Sequence, residues 1–137
     1  MGRTTEHVAF YNDSDFIILD DPPIVLKVLE RHDGMRLLMQ SFAVDTAAFL
    51  SAIKFDGPGS PEDESVDRQM QLLDLIEAER LNYFMAVVEN PDSGWTQQSY
   101  VVLGVDRSQA TEWAEQFQQK AYLWVPPSGI PELISLI

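Results

Sequence analysis

The chain has 137 residues, 45% of them hydrophobic, and contains no Cys; that length supports one domain with one core, and the missing thiols exclude a disulfide framework, a thiolate metal site and a cysteine nucleophile. With 22 Asp and Glu against 9 Lys and Arg the net charge is −13, which argues against gripping a phosphate backbone, because that takes clustered Lys and Arg. The start Met-Gly-Arg-Thr-Thr-Glu-His has no apolar signal core and no long apolar run follows, so the expectation is a cytoplasmic protein that is neither secreted nor membrane-spanning.

In chain order, Val8 to Tyr11 followed by Asn12-Asp13-Ser14-Asp15 reads as a short packed arm ending in a turn. Phe16 to Leu19 and Ile24 to Leu29 flank Asp20-Asp21-Pro22-Pro23. They read as two short strands, since Pro cannot donate to a ladder and breaks the run; a helix starting at Pro23 is the alternative. Asp33 is placed to cap a helix over Met35 to Phe42, with Leu37, Leu38 and Phe42 as its apolar face. For Ala47 to Phe55 periodicity leaves helix and buried strand both open.

Gly57-Pro58-Gly59 ends that stretch, and Ser60-Pro61-Glu62-Asp63 opens a helix: an N-cap Ser, Pro where its missing N–H costs nothing, and acids at the positive end of the dipole. The helix runs from Pro61 to about Arg80, with Val66, Met70, Leu73 and Ile76 as its buried stripe and Leu72 at its edge. Its other side carries Glu62, Asp63, Glu64, Asp67, Asp74 and Glu79, balanced only by Arg68 and Arg80. Tyr83 to Val88 is a strand, and the turn residues Asn90 to Gly94 pair it as a hairpin with the strand around Ser99 to Leu103. Next comes a helix from Arg107, with Asp106 as N-cap and Gln109 completing a capping box. Ala110, Trp113, Ala114, Phe117 and Ala121 keep the spacing of one buried stripe. Tyr122 to Val125 is a further strand, and Glu132 to Ile137 reads as an apolar tail of one helical turn.

Taking Ala47 onward as a strand gives the order β-α-β-β-α-β over about residues 47–125. The fold class expected is therefore α+β: a ferredoxin-like, split βαβ sheet with helices on one face and an N-terminal β/α extension, in one acidic domain over 1–137. The blocks Phe49-Leu50-Ser51-Ala52, Asp67-Arg68, Leu81-Asn82-Tyr83-Phe84, Gly94 to Gly104 and Phe117 to Ala121 together resemble the bacterial domain-of-unknown-function family 3293, across about the last two-thirds of the chain. The resemblance implies a strand at Ala47 and leaves the function open. It also marks Arg68, Trp95, Ser99 and Gln119 as candidate site positions. The chain departs from the family pattern at Asp67, Gln97, Gln118 and Lys120, so a family site lined by those positions is altered here.

Known catalytic signatures are missing. His7 and His32 lack partners at zinc-ligand spacing. Asp20-Asp21 and Glu62-Asp63-Glu64 lack the alternation and central Gly of a calcium loop. No Gly-x-Ser-x-Gly, phosphate-cradling loop or RNP-type basic run occurs. The expectations are therefore no cofactor, no metal, no direct nucleic-acid contact and no catalytic residue. The functional reading is an acidic binding or inhibitory module whose helix face meets a protein partner with a basic surface, as an immunity protein or defence inhibitor does. A small enzyme or ligand-binding domain with a pocket lined by Arg68, Trp95 and Gln119, and a structural homo-oligomer, are the competing readings.

Overall fold

The computed structural model describes residues 11–53, 62–92 and 94–136, with 62–65 and 95 as backbone only. Its elements are β1 (Asp15–Ile18), β2 (Ile24–Leu26), α1 (Asp33–Ser41), β3 (Ala47–Leu50), α2 (Glu62–Ala78), β4 (Asn82–Asn90), β5 (Trp95–Leu103), α3 (Arg107–Gln116), β6 (Ala121–Val125) and β7 (Glu132–Ser135). The β4-β5 hairpin, in register from Asn82↔Leu103 to Asn90↔Trp95, is the spine of one sheet ordered β2-β1-β4-β5-β3-β6-β7. Every neighbouring pair is antiparallel.

The sheet curls strongly. Phe16 on β1 and Phe49 on β3 are three strand steps apart, roughly 14 Å on a flat sheet, yet their rings meet edge to face with centroids 5.5 Å apart. At one end the loops beside the two sheet edges join: Leu29 N–H donates to Pro131 O at 2.7 Å and His32 N–H to Gly129 O at 3.3 Å. The concave side of this half-barrel holds Phe16, Ile18, Val88, Val101 and Leu123, and Met35 and Met39 of α1 fill it. On the convex side Leu50, Val102 and Trp124 pack under Leu72 and Ile76 of α2 and Trp113 and Phe117 of α3.

The expected fold class is corrected by this arrangement. The elements β3-α2-β4-β5-α3-β6 do follow one another, but the molecule is not a ferredoxin-like sheet with helices on one face. Among the described residues it has seven strands, and α1 occupies the face opposite α2 and α3. The N-terminal strands are integral because Phe16 and Ile18 pair with Val88 and Ala86 of β4 and are buried; only long-range pairing specifies that.

Several local readings change with it. His32, not Asp33, caps α1: its Nδ1 accepts from Met35 N–H at 3.1 Å. The fully buried residues of α1 are Met35 and Met39; of the expected face, Leu38 and Phe42 pack against the same core, while Leu37 is 64% exposed. On α2, Val66 and Met70 are exposed, and Gln69, Leu72 and Ile76 take the buried side. Asp106 stands at the N-cap of α3 without a side-chain bond, so no capping box forms, although Ala110, Trp113, Ala114 and Phe117 are buried as expected. The tail is an edge strand, β7, paired to β6 from Ala121↔Ser135 to Trp124↔Glu132. The expected arm at Val8 to Phe10, His7, the Gly57-Pro58-Gly59 loop and the Ser60-Pro61 cap lie outside the described residues.

Candidate functional site

β3 leaves the sheet at Ser51 to Ile53, and the backbone groups freed there need partners. Five side chains supply them. Gln69 of α2 accepts from Ala52 N–H at 2.7 Å through Oε1 and donates through Nε2 to Gln98 O at 3.2 Å. Arg68 donates through Nε to Ala52 O at 2.7 Å and through Nη2 to Phe117 O, its guanidinium 5.8 Å from the centre of the Phe117 ring. Gln119 donates to Ile53 O at 3.0 Å and to Phe117 O at 3.3 Å. Gln97 donates to Ile53 O at 3.1 Å and accepts from Tyr11 Oη at 3.3 Å. Ser51 Oγ closes the knot, donating to Gln98 O at 2.8 Å and accepting from Ile53 N–H at 3.1 Å.

The resemblance-derived candidates divide accordingly. Arg68 and Gln119 are brought together on one shared carbonyl, that of Phe117. Ser99 lies inside β5, buried, its hydroxyl donating to Gln97 O at 3.4 Å. It does not begin the strand as the sequence suggested; Trp95 does. The side chain of Trp95 lies outside the described residues. Gln69 was missed by sequence reasoning, and Gln97 was singled out only as a departure from the family pattern; the available signal was a Gln at a position where a helix or strand otherwise buries an apolar residue. The cluster is amides, a hydroxyl and a guanidinium spent on main-chain groups. It fastens β3, α2, β5 and the loop after α3 to one another. Burial pushes the Tyr11 hydroxyl that reaches into it up to about 12.

The second assembly is electrostatic. Asp67, Asp74 and Glu77 are exposed on α2, and Glu79 is exposed in the turn just past its end; the side chains of Glu62, Asp63 and Glu64 lie outside the described residues. Ion pairs among the described residues are Lys27 to Asp15 at 2.6 Å and Arg31 to Asp33 at 3.2 Å, so none neutralises α2. Glu77 Oε1 accepts from Tyr83 Oη at 3.4 Å. The Tyr83 hydroxyl is pushed up by burial and then by the Glu77 charge, and that of Tyr100 by burial, then Tyr83 and Glu77. Among the described residues no group of three or more His, Asp or Glu is gathered to hold a metal ion, and no helix is long and apolar enough to cross a membrane.

Comparison with curated proteins and with solved structures gave no match. The match to a family model begins at residue 56, past Phe49 to Ala52, and takes in α2, β4, β5, α3 and the start of β6. Residues 56–122 match the model of the family described as Protein of unknown function (DUF3293), the family whose resemblance the residue blocks carry.

Proposed function

We propose that this chain is a small, acidic, non-catalytic binding module of the cytoplasm that docks on a protein partner with a basic surface, in the manner of an immunity protein or defence inhibitor. The observation that carries the reading is the unneutralised run of exposed acids Asp67, Asp74 and Glu77 on α2, with Glu79 in the turn that follows it, in a chain of net charge −13. Charge concentrated on one rigid element steers encounter over about 10 Å at moderate salt. The positions Arg68 and Gln119, which a small-molecule pocket would have used, are engaged with main-chain carbonyls; that favours a binding module over an enzyme.

The experiment is association kinetics of the Asp67→Asn, Asp74→Asn, Glu77→Gln triple variant with a partner recovered by low-salt pull-down. The on-rate is expected to fall roughly tenfold and to lose most of its salt dependence. An unchanged on-rate with the same salt dependence overturns the reading.

A further inference from the structure

The helices α2 and α3 do not roof the whole convex face. Alternation along the strands places Phe16, Ile18, Ala86 and Val88 in the concave core, so Ile17, Leu19, Val25, Met85 and Val87 point to the opposite side. They are neighbours across three strands: Ile17 pairs with both Val25 and Val87, and Leu19 N–H donates to Met85 O at 3.0 Å. Leu19 is 55%, Met85 48% and Val25 40% exposed. A soluble surface does not need an apolar row across three strands.

α2 walls this strip on one side. Its buried face is Gln69, Leu72 and Ile76. Arg68, on one flank, reaches Phe117 beyond the end of α3. Glu77, on the other flank, meets Tyr83 of β4. Helical spacing puts Val66, Met70 and Leu73 on that same β4-facing flank, and Val66 and Met70 are exposed at 56% and 60%. Met70 lies about 10 Å along α2 from Glu77; Val87 lies about 13 Å along β4 from Tyr83. Wall and floor are therefore apolar at the same level. Acids surround them: Asp15 and Glu89, opposite one another in register, with Lys27 on Asp15, at one end; Asp20 and Asp21 at the other; Asp74 and Glu77 along the wall.

We infer that this groove between α2 and the β2-β1-β4 face is the docking site for a cationic amphipathic helix of a partner protein. The inference rests on the binding-module reading and names its site and the partner's chemistry. Charge decides the occupant: an apolar floor rimmed by acids complements a helix with an apolar face and flanking Lys or Arg, whereas a second copy brings another −13 and is repelled. The floor from Asp15 to Asp20 is about 17 Å long, the length of about eleven helical residues.

The probe is a synthetic 14-residue helical peptide with Leu on one face and Lys on the other, its binding followed by fluorescence anisotropy and by backbone amide NMR shifts of the whole chain. The double variant Met85→Thr, Val25→Thr alters neither charge nor buried packing, and its melting temperature is checked against the parent. It is expected to bind at least tenfold more weakly, while Leu37→Ser on α1 binds as the parent does. Shifts should centre on β1, β4 and α2. If the peptide binds the Thr variant unchanged but loses affinity in the Asp67→Asn, Asp74→Asn, Glu77→Gln variant, the groove is overturned and the acidic-module reading survives. Failure of the peptide to bind the parent chain, or self-association of the parent abolished by the Thr changes, likewise overturns the groove.

Discussion

Gln69 does at one position what an apolar residue could not. Its carbonyl takes the Ala52 N–H at 2.7 Å in a buried setting, so Gln69→Leu fills the space but leaves that donor without its partner. The expected loss is about 1 to 3 kcal/mol in urea unfolding; Gln69→Glu keeps the acceptor but sets an oxygen against Gln98 O and buries a charge, so it should not restore the loss. Tyr11 carries a pH dependence. Its hydroxyl, ordinarily 10.0, is held up to about 12 by burial, so above pH 10 the unfolded chain releases this proton first. The stability Tyr11 contributes is fully present below pH 10 and is lost as pH rises to about 12, amounting to about 2 to 3 kcal/mol. Denaturation across that range should show the decline, and Tyr11→Phe should flatten it. Neither residue was legible in the sequence as a site. Apolar periodicity put Val66 and Met70 inside because it weighs hydrophobicity, whereas the inward position of Gln69 is set by a backbone group just past β3, 17 residues away. Arg68 and Gln119 were legible only through the family resemblance.

α1 illustrates how an element is held by one distant residue. Gly129 has φ 78° and a Cβ there would fall on the Arg36 side chain, so Arg36 of α1 lies directly over the loop before β7. Gly94 has nearly the same φ, 74°, with nothing within 4 Å of such a Cβ. Gly94→Ala should therefore report the left-handed backbone alone, about 1 kcal/mol, and Gly129→Ala should cost clearly more in thermal unfolding, because the Arg36 side chain must be displaced at Cγ and Cδ as well. Equal losses would mean that Arg36 simply swings aside. The elements that were legible are the local ones: α3 with its Trp113 and Phe117 stripe, and the β4-β5 hairpin, are written in residues a few positions apart. β7 was read as a helical turn because Leu133 and Ile134 are apolar under either period, and the register to β6 that makes them a strand is invisible in a six-residue tail.

For the whole molecule, charge is the controlling quantity. A net −13, with the ion pairs among the described residues confined to Lys27–Asp15 and Arg31–Asp33, means that self-repulsion outweighs pairing. Raising NaCl from about 10 mM to about 300 mM shortens the screening length from about 30 Å to under 10 Å and should raise the melting temperature; a fall would show that attractive pairs dominate. The half-barrel itself was beyond local reading, since its outer strands and its helical plug are placed by pairings between distant parts of the chain. That closure also has a temporal side. Leu29 bonds to Pro131 and His32 to Gly129, so the two halves of the seam leave the ribosome about a hundred residues apart, some 5 to 20 s at ordinary elongation rates. Until Asn82–Asn90 has been made, the β1-β2 pair lacks β4, and for the remainder of the interval it still lacks the seam. Newly made chains thus pass through a vulnerable window in which a chaperone, or the module's own partner arriving early, has first access to the open edge of β1.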